Sequence, residues 1–458
     1  MRKFENIIQS EITPSTNSLH LKDGALFYYN NGEWKPISSG PNAPNFVGCT
    51  EEEYNSLESK DSNILYVINS NSGIDALYAG KNKVWKKPSN RFKGQCRPNM
   101  DNTYSLRCRI NNIIYDFSDK VDPETGKFDF EYDGEEIKDF CLDDGGSMGG
   151  ERTYLQSIES LPDTSKIISA AHMFNANYYL KEFDCSCIDI SNCVNTIFMF
   201  AECEGLHSLD ISTLDMSKVY DMSNMFDGCA EVPELDFSNI NLSNVRNMNS
   251  AFSYCYGLTS IKLSHLANVA NMSSAFQECT SLEYVELSIP STNLVDMSGL
   301  FHSCSSLKDV KFISPISTKI KVNGVNGMFN SCGTLKALNL PFDTKNVTNM
   351  SYMFYGCTGL ANLSLNFDMN NVVTASDMFS GCESLTDING EITNIKIGLD
   401  LSTTSLSRSS ALVFINGLSE EARPGILKVI KFSQSTYNTL DEGDITLASS
   451  KGWTIVAE

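Results

Sequence analysis

Apolar residues in the middle of the chain follow one recurring pattern, which is clearest between Asn346 and Leu365. Its first part has apolar side chains at i, i+3, i+4 and i+7, the spacing of one face of a short helix; these are Met350, Met353, Phe354 and Cys357. Its second part reads L-x-x-L-x-L, whose last two positions alternate as they do in a strand; these are Leu360, Leu363 and Leu365. The pattern therefore predicts a helical turn, a bend and a short strand in each copy.

The same pattern returns about every 25 residues, and its most constant member is a phenylalanine that usually follows a methionine and precedes a cysteine by three residues. These phenylalanines are Phe174, Phe200, Phe226, Phe252, Phe276, Phe301, Phe329, Phe354 and Phe379. A fixed period of this length indicates an array of stacked units. A unit this small cannot bury its own apolar face, so each copy must stack on its neighbours.

The full phrase D-x-S-N-V-x-x-M-S-x-M-F-x-G-C-x-x-L resembles the BspA-like leucine-rich repeats of bacterial surface proteins and phage proteins. In one copy the matching residues are Asp343, Asn346, Val347, Met350 and Met353. The resemblance extends over roughly residues 167–400. It implies an α+β fold, a leucine-rich-repeat solenoid of about nine repeats of ~25 residues each.

The segments on either side of the repeats carry other patterns, and four regions are predicted: an N-terminal hairpin region (1–93), a small β-rich domain and linker (94–165), the repeats (166–400) and a C-terminal capping unit (401–458). Asn30-Asn31-Gly32 between two apolar runs predicts a hairpin, because Asn-Gly tolerates positive φ. Near the C-terminus a helix is expected from Ser407 to Gly417, followed by a strand, a helix and a last strand. Such a unit would cover the last apolar layer.

Two phrases of the N-terminal region resemble those of phage fibre and virion adaptor proteins, such as those of crAss-like phages of gut Bacteroides. They are Leu21–Ser38 and Thr50–Ile68. This resemblance implies attachment to other virion proteins through the N-terminal region. Because virion fibres are commonly trimeric, it also implies a homo-oligomer, with a trimer as one form.

The charge of the chain limits its partners. The net charge is −21 and the sequence pI is near 4.7, which argues against nucleic acid or an anionic membrane as a partner, because both attract positive charge. The opening residues MRKFENIIQS lack the apolar core of a secretory signal, and no later stretch is expected to insert into a membrane. Both a virion protein and a surface protein whose signal has been removed agree with this.

The fifteen cysteines raise the question of metals and disulfides. Eight of them belong to the repeats, where a free cysteine on an apolar face packs as a small hydrophobic residue. Their spacing lacks the C-x-x-C clusters of zinc sites, so neither a metal nor a cofactor is predicted. Stacked repeats bring neighbouring cysteines within disulfide range, which leaves that alternative beside the preferred one, a column of buried thiols.

No catalytic residue is predicted, and the chain is not expected to be an enzyme. The five histidines are scattered, and no nucleophile-elbow, Walker or zinc-protease motif occurs. Paired carboxylates for glycoside cleavage have no sequence signature, so a fibre-borne glycan depolymerase stays as a second alternative. Repeat proteins more usually supply extended binding surfaces.

The outward positions of the L-x-x-L-x-L strands are expected to form two columns, here called the strand face. The first column is Ser208, Glu234, Ser260, Tyr284, Asp309, Ala337, Asn362 and Asp387. The second is Asp210, Asp236, Lys262, Glu286, Lys311, Asn339, Ser364 and Asn389. Nine strands at ~4.8 Å give a face roughly 40 Å long, and a face that is merely solvated is an alternative of similar weight. The predicted binding residues are Tyr284, Glu286, Asp309, Lys311, Asn339 and Asn362, with Tyr284 as the anchor.

These observations lead to one main hypothesis and two alternatives. The main hypothesis is a non-enzymatic structural protein of a phage virion, a head or tail fibre-like component, whose repeats bind a host surface protein or glycan. The first alternative is a BspA-like adhesin of the bacterial cell surface, and the second is the depolymerase. The expected location is therefore the virion or, alternatively, the bacterial surface.

Overall fold

The computed structural model describes residues 91–97, 106–111, 113–132, 134, 136–138, 140–142, 155–289, 293, 295–313 and 320–458, together with the strands alone between residues 19 and 86. The chain divides into two compact units, Met1–Ser89 and Asn90–Glu458.

The first unit is described by its strands. A three-stranded antiparallel sheet consists of Leu19–Lys22, Ala25–Asn30 and Glu33–Pro36. A four-stranded sheet consists of Asn45–Cys49, Ile64–Ser70, Gly73–Ala79 and Asn82–Lys86. The predicted hairpin is confirmed, with Asn30 paired to Glu33. Thr50 and Glu53 form a capping-box pattern that predicts a helix, and the glycine-rich stretch 145–150 predicts a linker. Both predictions fall on residues outside the described ones.

The second unit begins with two small antiparallel sheets. One pairs Lys127–Glu131 and Leu155–Ser160 with the central strand Arg91–Cys96. The other pairs Ile113–Asp116 and Phe140–Cys141 with Arg107–Ile110. The backbone N–H of Leu142 donates to the oxygen of Met173 (2.9 Å), which joins the second sheet to the first repeat.

The repeats form a leucine-rich-repeat solenoid, as the sequence predicts. The strands of L-x-x-L-x-L lie parallel from one repeat to the next; they are Glu182–Asp184, Ser208–Asp210, Ser260–Leu263, Tyr284–Ser288, Asp309–Ile313, Ala337–Leu340, Asn362–Asp368 and Asp387–Thr393. A separate parallel set is Val295–Asp296, Ile320–Gly324 and Phe342–Asp343. A short 3-10 helix occupies Cys185–Cys187 in the repeats, and another, Ser118–Lys120, precedes them.

The predicted helical turn in each repeat is wrong. Every copy instead has two residues of positive φ, four apart, which end the turn before a helix can continue. These pairs are His172 and Ala176, Phe198 and Glu202, Asn224 and Gly228, Ser250 and Tyr254, Ser274 and Glu278, Gly299 and Ser303, Gly327 and Ser331, Tyr352 and Gly356, and Asp377 and Gly381. The backbone N–H of Phe354 donates to Met378 in the next repeat (3.0 Å) rather than to a residue four positions earlier.

The apolar spacing nevertheless predicts the inward face correctly. Met350, Met353, Phe354 and Cys357 are fully buried. The nine repeat phenylalanines stack in one continuous column, with ring centroids 5.1–5.9 Å apart and interplanar angles of 4–22°. Since each ring contacts the ring before and after it, the core consists of layers that no single repeat could form.

The repeat cysteines are buried free thiols. Each thiol donates to the backbone oxygen of the phenylalanine in the preceding repeat at 3.0–3.2 Å, as Cys203 does to Phe174. Burial raises the pKa of Cys203 to about 12. A thiol so placed stays protonated at neutral pH and serves as a donor within the core.

The C-terminal segment covers the last repeat. Its helices are α1 (Arg408–Gly417), α2 (Gln434–Tyr437) and α3 (Glu442–Ser450), and its parallel strands are Leu399–Leu401, Val429–Phe432 and Thr454–Ala457. The predicted start of α1 is confirmed, with Ser407 as the N-cap. Phe414 of α1 packs edge-on against Phe379, with ring centroids 5.8 Å apart, and so closes the phenylalanine column.

Candidate functional site

The strand face has the register that the repeat spacing predicts. Tyr284 pairs with Ser260 on one side and with Asp309 on the other, and Glu286 pairs with Lys262 and Lys311. Farther along, the aligned sets are Ala337, Asn362 and Asp387, and Asn339, Ser364 and Asn389. The side chains in these positions point outward because the alternating leucine, isoleucine and valine positions are buried in the core.

Tyr284 lines a shallow depression in this face. About half of its surface is exposed (51%), and the lining of the depression also includes Glu234, Lys262, Glu286 and Lys311. The Lys262 ammonium forms an ion pair with the Glu286 carboxylate. The depression thus places a half-exposed aromatic ring among charged side chains, an arrangement suited to a polar macromolecule.

The depression is acidic. Four carboxylates and two ammonium groups line it; the carboxylates are Glu234, Asp236, Glu286 and Asp309, and the cations are Lys262 and Lys311. Of the six predicted binding residues, the structure brings together Tyr284, Glu286, Asp309 and Lys311. Asn339 and Asn362 are exposed on the same set of repeats but lie beyond the depression. These two residues therefore belong to the strand face but not to the depression.

A second surface was missed by the sequence interpretation. It is a groove, here called the Tyr220 groove, whose lining includes Val194, Lys218, Tyr220 and Arg246. A signal for it exists in the sequence, because Ile168, Val194, Tyr220 and Arg246 each immediately precede the polar residue that bridges one repeat to the next. An apolar or aromatic residue at an outward repeat position marks such a column.

In the described part of the chain, no group of three or more His, Cys, Asp or Glu side chains is placed to hold a metal ion. Among the described carboxyl groups, Asp227 has the pKa that is raised most. Burial, and then the neighbouring Glu202, raise this pKa to about 6. One such carboxyl defines no reaction by itself.

None of the helices that the structure describes has the length and apolar character needed to cross a bilayer.

Known proteins resemble the chain in its repeat region. The family model described as "Mycoplasma protein of unknown function, DUF285" matches residues 148–265 and 270–394. Among curated proteins, none matches the chain. A solved structure of a leucine rich cell surface protein from Faecalibacterium prausnitzii A2-165 is 16% identical and covers 72% of this chain and 96% of that chain, with a TM-score of 0.24, too low to carry an argument. Because the family model matches more than half of its residues, the chain belongs to the DUF285 family.

Proposed function

We propose that this protein is a non-catalytic binding protein of the bacterial cell surface, and that its strand face holds a protein or glycan of another surface. The observation that carries the proposal is the half-exposed Tyr284 in the acidic depression of a regular, parallel strand array. Such arrays supply long binding surfaces in repeat proteins. The surface location follows the resemblance of the repeat phrase to BspA-like repeats.

The phage virion, which is the main hypothesis from the sequence, depends on the resemblance of Leu21–Ser38 and Thr50–Ile68 to phage fibre and adaptor proteins. The side chains of these two phrases lie outside the described residues, and no comparison with known proteins supports a virion role. The bacterial surface is therefore the preferred location.

Location and binding need separate tests. For location, intact producing cells are treated with protease and fractionated beside purified phage particles. Loss of the protein from intact cells, with recovery in washed envelopes, would support the proposal. Recovery in the particles and absence from envelopes would sink it and favour a virion protein.

For binding, the purified chain is applied to arrays of extracellular proteins and of glycans, with Tyr284→Ala as the test variant. Tyr352 is also partly exposed (45%) but lies outside the strand face, so Tyr352→Ala is the matched control. We expect Tyr284→Ala to weaken the strongest interaction about tenfold and Tyr352→Ala to leave it unchanged. Equal effects of the two variants, or an absence of binding on both arrays, would count against the strand face.

A further inference from the structure

The Tyr220 groove lies about half a repeat away from the strand face along each turn, since Tyr220 comes 12 residues after Ser208 and 14 before Glu234. Backbone hydrogen bonds hold its residues in one column. The N–H of Tyr220 donates to the oxygen of Val194 (2.9 Å), and the N–H of Arg246 donates to the oxygen of Tyr220 (2.9 Å). Ile168 extends the column by one repeat, because the backbone N–H of Val194 donates a hydrogen bond to the oxygen of Ile168 (3.0 Å).

Three successive members of this column expose large apolar side chains. The exposed fractions are 61% for Ile168, 50% for Val194 and 51% for Tyr220. They lie in neighbouring repeats, so they adjoin one another at the ~4.8 Å spacing of parallel chains. A row of this kind is more than an isolated exposed side chain, because a contiguous apolar patch indicates an interaction surface.

The groove also carries positive charge in a strongly acidic protein. The Arg246 guanidinium lies 5.4 Å from the centre of the Tyr220 ring, and the Lys218 ammonium donates to the neutral Asn192 side chain (2.6 Å). Within the part of the chain that the structure describes, neither cation forms an ion pair with a carboxylate. Both are therefore available to a negatively charged ligand.

The carboxylate of the groove does not compete for these cations. Asp221 accepts hydrogen bonds from the backbone N–H of Ser223 (2.9 Å), the Ser223 hydroxyl (2.6 Å) and the Asn247 amide (3.0 Å). These bonds fix it in the ladder that bridges the repeats. The groove is thus locally basic, whereas the depression around Tyr284 is acidic.

We propose that the Tyr220 groove binds an acidic segment of a protein partner. Apolar side chains of that segment would pack on Ile168, Val194 and Tyr220, and its carboxylates would pair with Arg246 and Lys218. Tyr and Arg are among the residues enriched at protein interfaces, and a guanidinium can pair with a carboxylate through two hydrogen bonds. The exposed Ile and Val favour a protein over a polyanionic glycan, which would leave their apolar surface uncovered. A net charge of −21 argues against nucleic acid as the partner.

Fluorescence anisotropy of the full chain with labelled polymers tests this second site. The probes are a random copolymer of glutamate and tyrosine, polyglutamate, and polygalacturonate. We expect the copolymer to bind most tightly, because it alone supplies both aromatic and acidic groups. Tyr220→Ala and Arg246→Ala should each weaken it about tenfold. The controls are Tyr352→Ala and Lys336→Ala, an exposed aromatic residue and an exposed cation outside the groove.

Each other result contradicts the inference. Polygalacturonate or polyglutamate binding as tightly as the copolymer would identify a general polyanion site. Equal losses in the control variants, or no binding of the copolymer, would place the interaction elsewhere. All four substituted residues are exposed, so unchanged circular dichroism spectra and melting temperatures will show that each variant is folded. A loss that is confined to the strand-face variant Tyr284→Ala would overturn this proposal while leaving the proposed function intact.

Discussion

The thiol of Cys279 donates a hydrogen bond to the backbone oxygen of Phe252, one repeat earlier, with an Sγ–O distance of 3.0 Å. Both residues are buried, and the ring of Phe252 stacks on that of Phe276, whose own oxygen accepts from Cys304. The cysteines and phenylalanines therefore form one bonded network in which each thiol links two layers.

Removing a thiol from this network should destabilise the solenoid. We expect Cys279→Ala to lower the free energy of unfolding by about 2 kcal/mol, through a small cavity and a lost hydrogen bond. Cys279→Ser keeps a donor at the same place and should cost less. Urea unfolding followed by circular dichroism measures both. Identical losses for Ala and Ser would show that the hydrogen bond contributes nothing.

The thiols should also differ in reactivity. Burial raises the pKa of Cys203 to about 12, whereas the side chain of Cys187 is partly exposed. Because the thiolate is the reactive form, iodoacetamide at pH 8 should label Cys187 at least tenfold faster than Cys203 in the native chain. Peptide mass spectrometry at timed intervals gives both rates. In denaturant the two rates should become equal, which serves as the control.

The residues of positive φ offer a clean test of backbone strain. Glu278 has φ +60°, and the aligned positions in other repeats include Gly356, with φ +68°. Glycine adopts this conformation without the steric cost of a Cβ, so Glu278→Gly should raise the free energy of unfolding by roughly 0.5–1 kcal/mol.

The reverse change, Gly356→Ala, should lower the same free energy by about 1 kcal/mol. A Cβ at Gly356 would meet no atom closer than 3.6 Å, so the change reports strain rather than a clash. Melting temperatures of the two variants should therefore move in opposite directions, and a shift in the same direction would contradict the argument.

Asp227 should make stability depend on pH. Burial and the nearby Glu202 raise its pKa to about 6, so the folded state holds its proton more tightly than the unfolded state does. Stability should therefore fall as pH rises from about 4 to 6. Asp227→Asn should remove that slope and add of order 1 kcal/mol at pH 7, a value reduced for partial exposure to solvent. A slope that persists in the variant would assign it to other groups.

Asp444 should have the opposite dependence in the C-terminal cap. Its carboxylate accepts from Arg408 at 2.8 and 3.0 Å and from the N–H of Asp441 at 3.0 Å, and the hydrogen bond with Arg408 lowers its pKa. Its contribution is present above the unfolded pKa near 4 and is lost as pH falls through the lower folded value. Asp444→Ala should cost about 2 kcal/mol at pH 7 and progressively less in acid. Thermal unfolding at several pH values measures this, with the exposed Glu442→Ala as the control.

The sequence could predict the stacking but not the path of the chain within a turn. The spacing of the repeats alone predicts the column of phenylalanines that includes Phe354 and the outward column that includes Tyr284. The helix was wrongly predicted because two turns ending in left-handed residues place Met350, Met353 and Cys357 inward just as a helix would. The glycines at 228, 356 and 381 are a sequence signal for those turns, because glycine adopts positive φ readily. The Tyr220 groove was missed because its residues fall between the two recognisable parts of the repeat.

The backbone bonds from one repeat to the next, such as that from Phe354 to Met378, bear on how the protein responds to mechanical load. They run along the axis of the stack, so tension on that axis acts on each layer in turn and can detach an end repeat while its neighbours stay intact. Every detached repeat of about 25 residues would lengthen the stretched protein by roughly 85 Å when that repeat is fully extended. Single-molecule stretching of the chain should therefore record a series of near-equal steps.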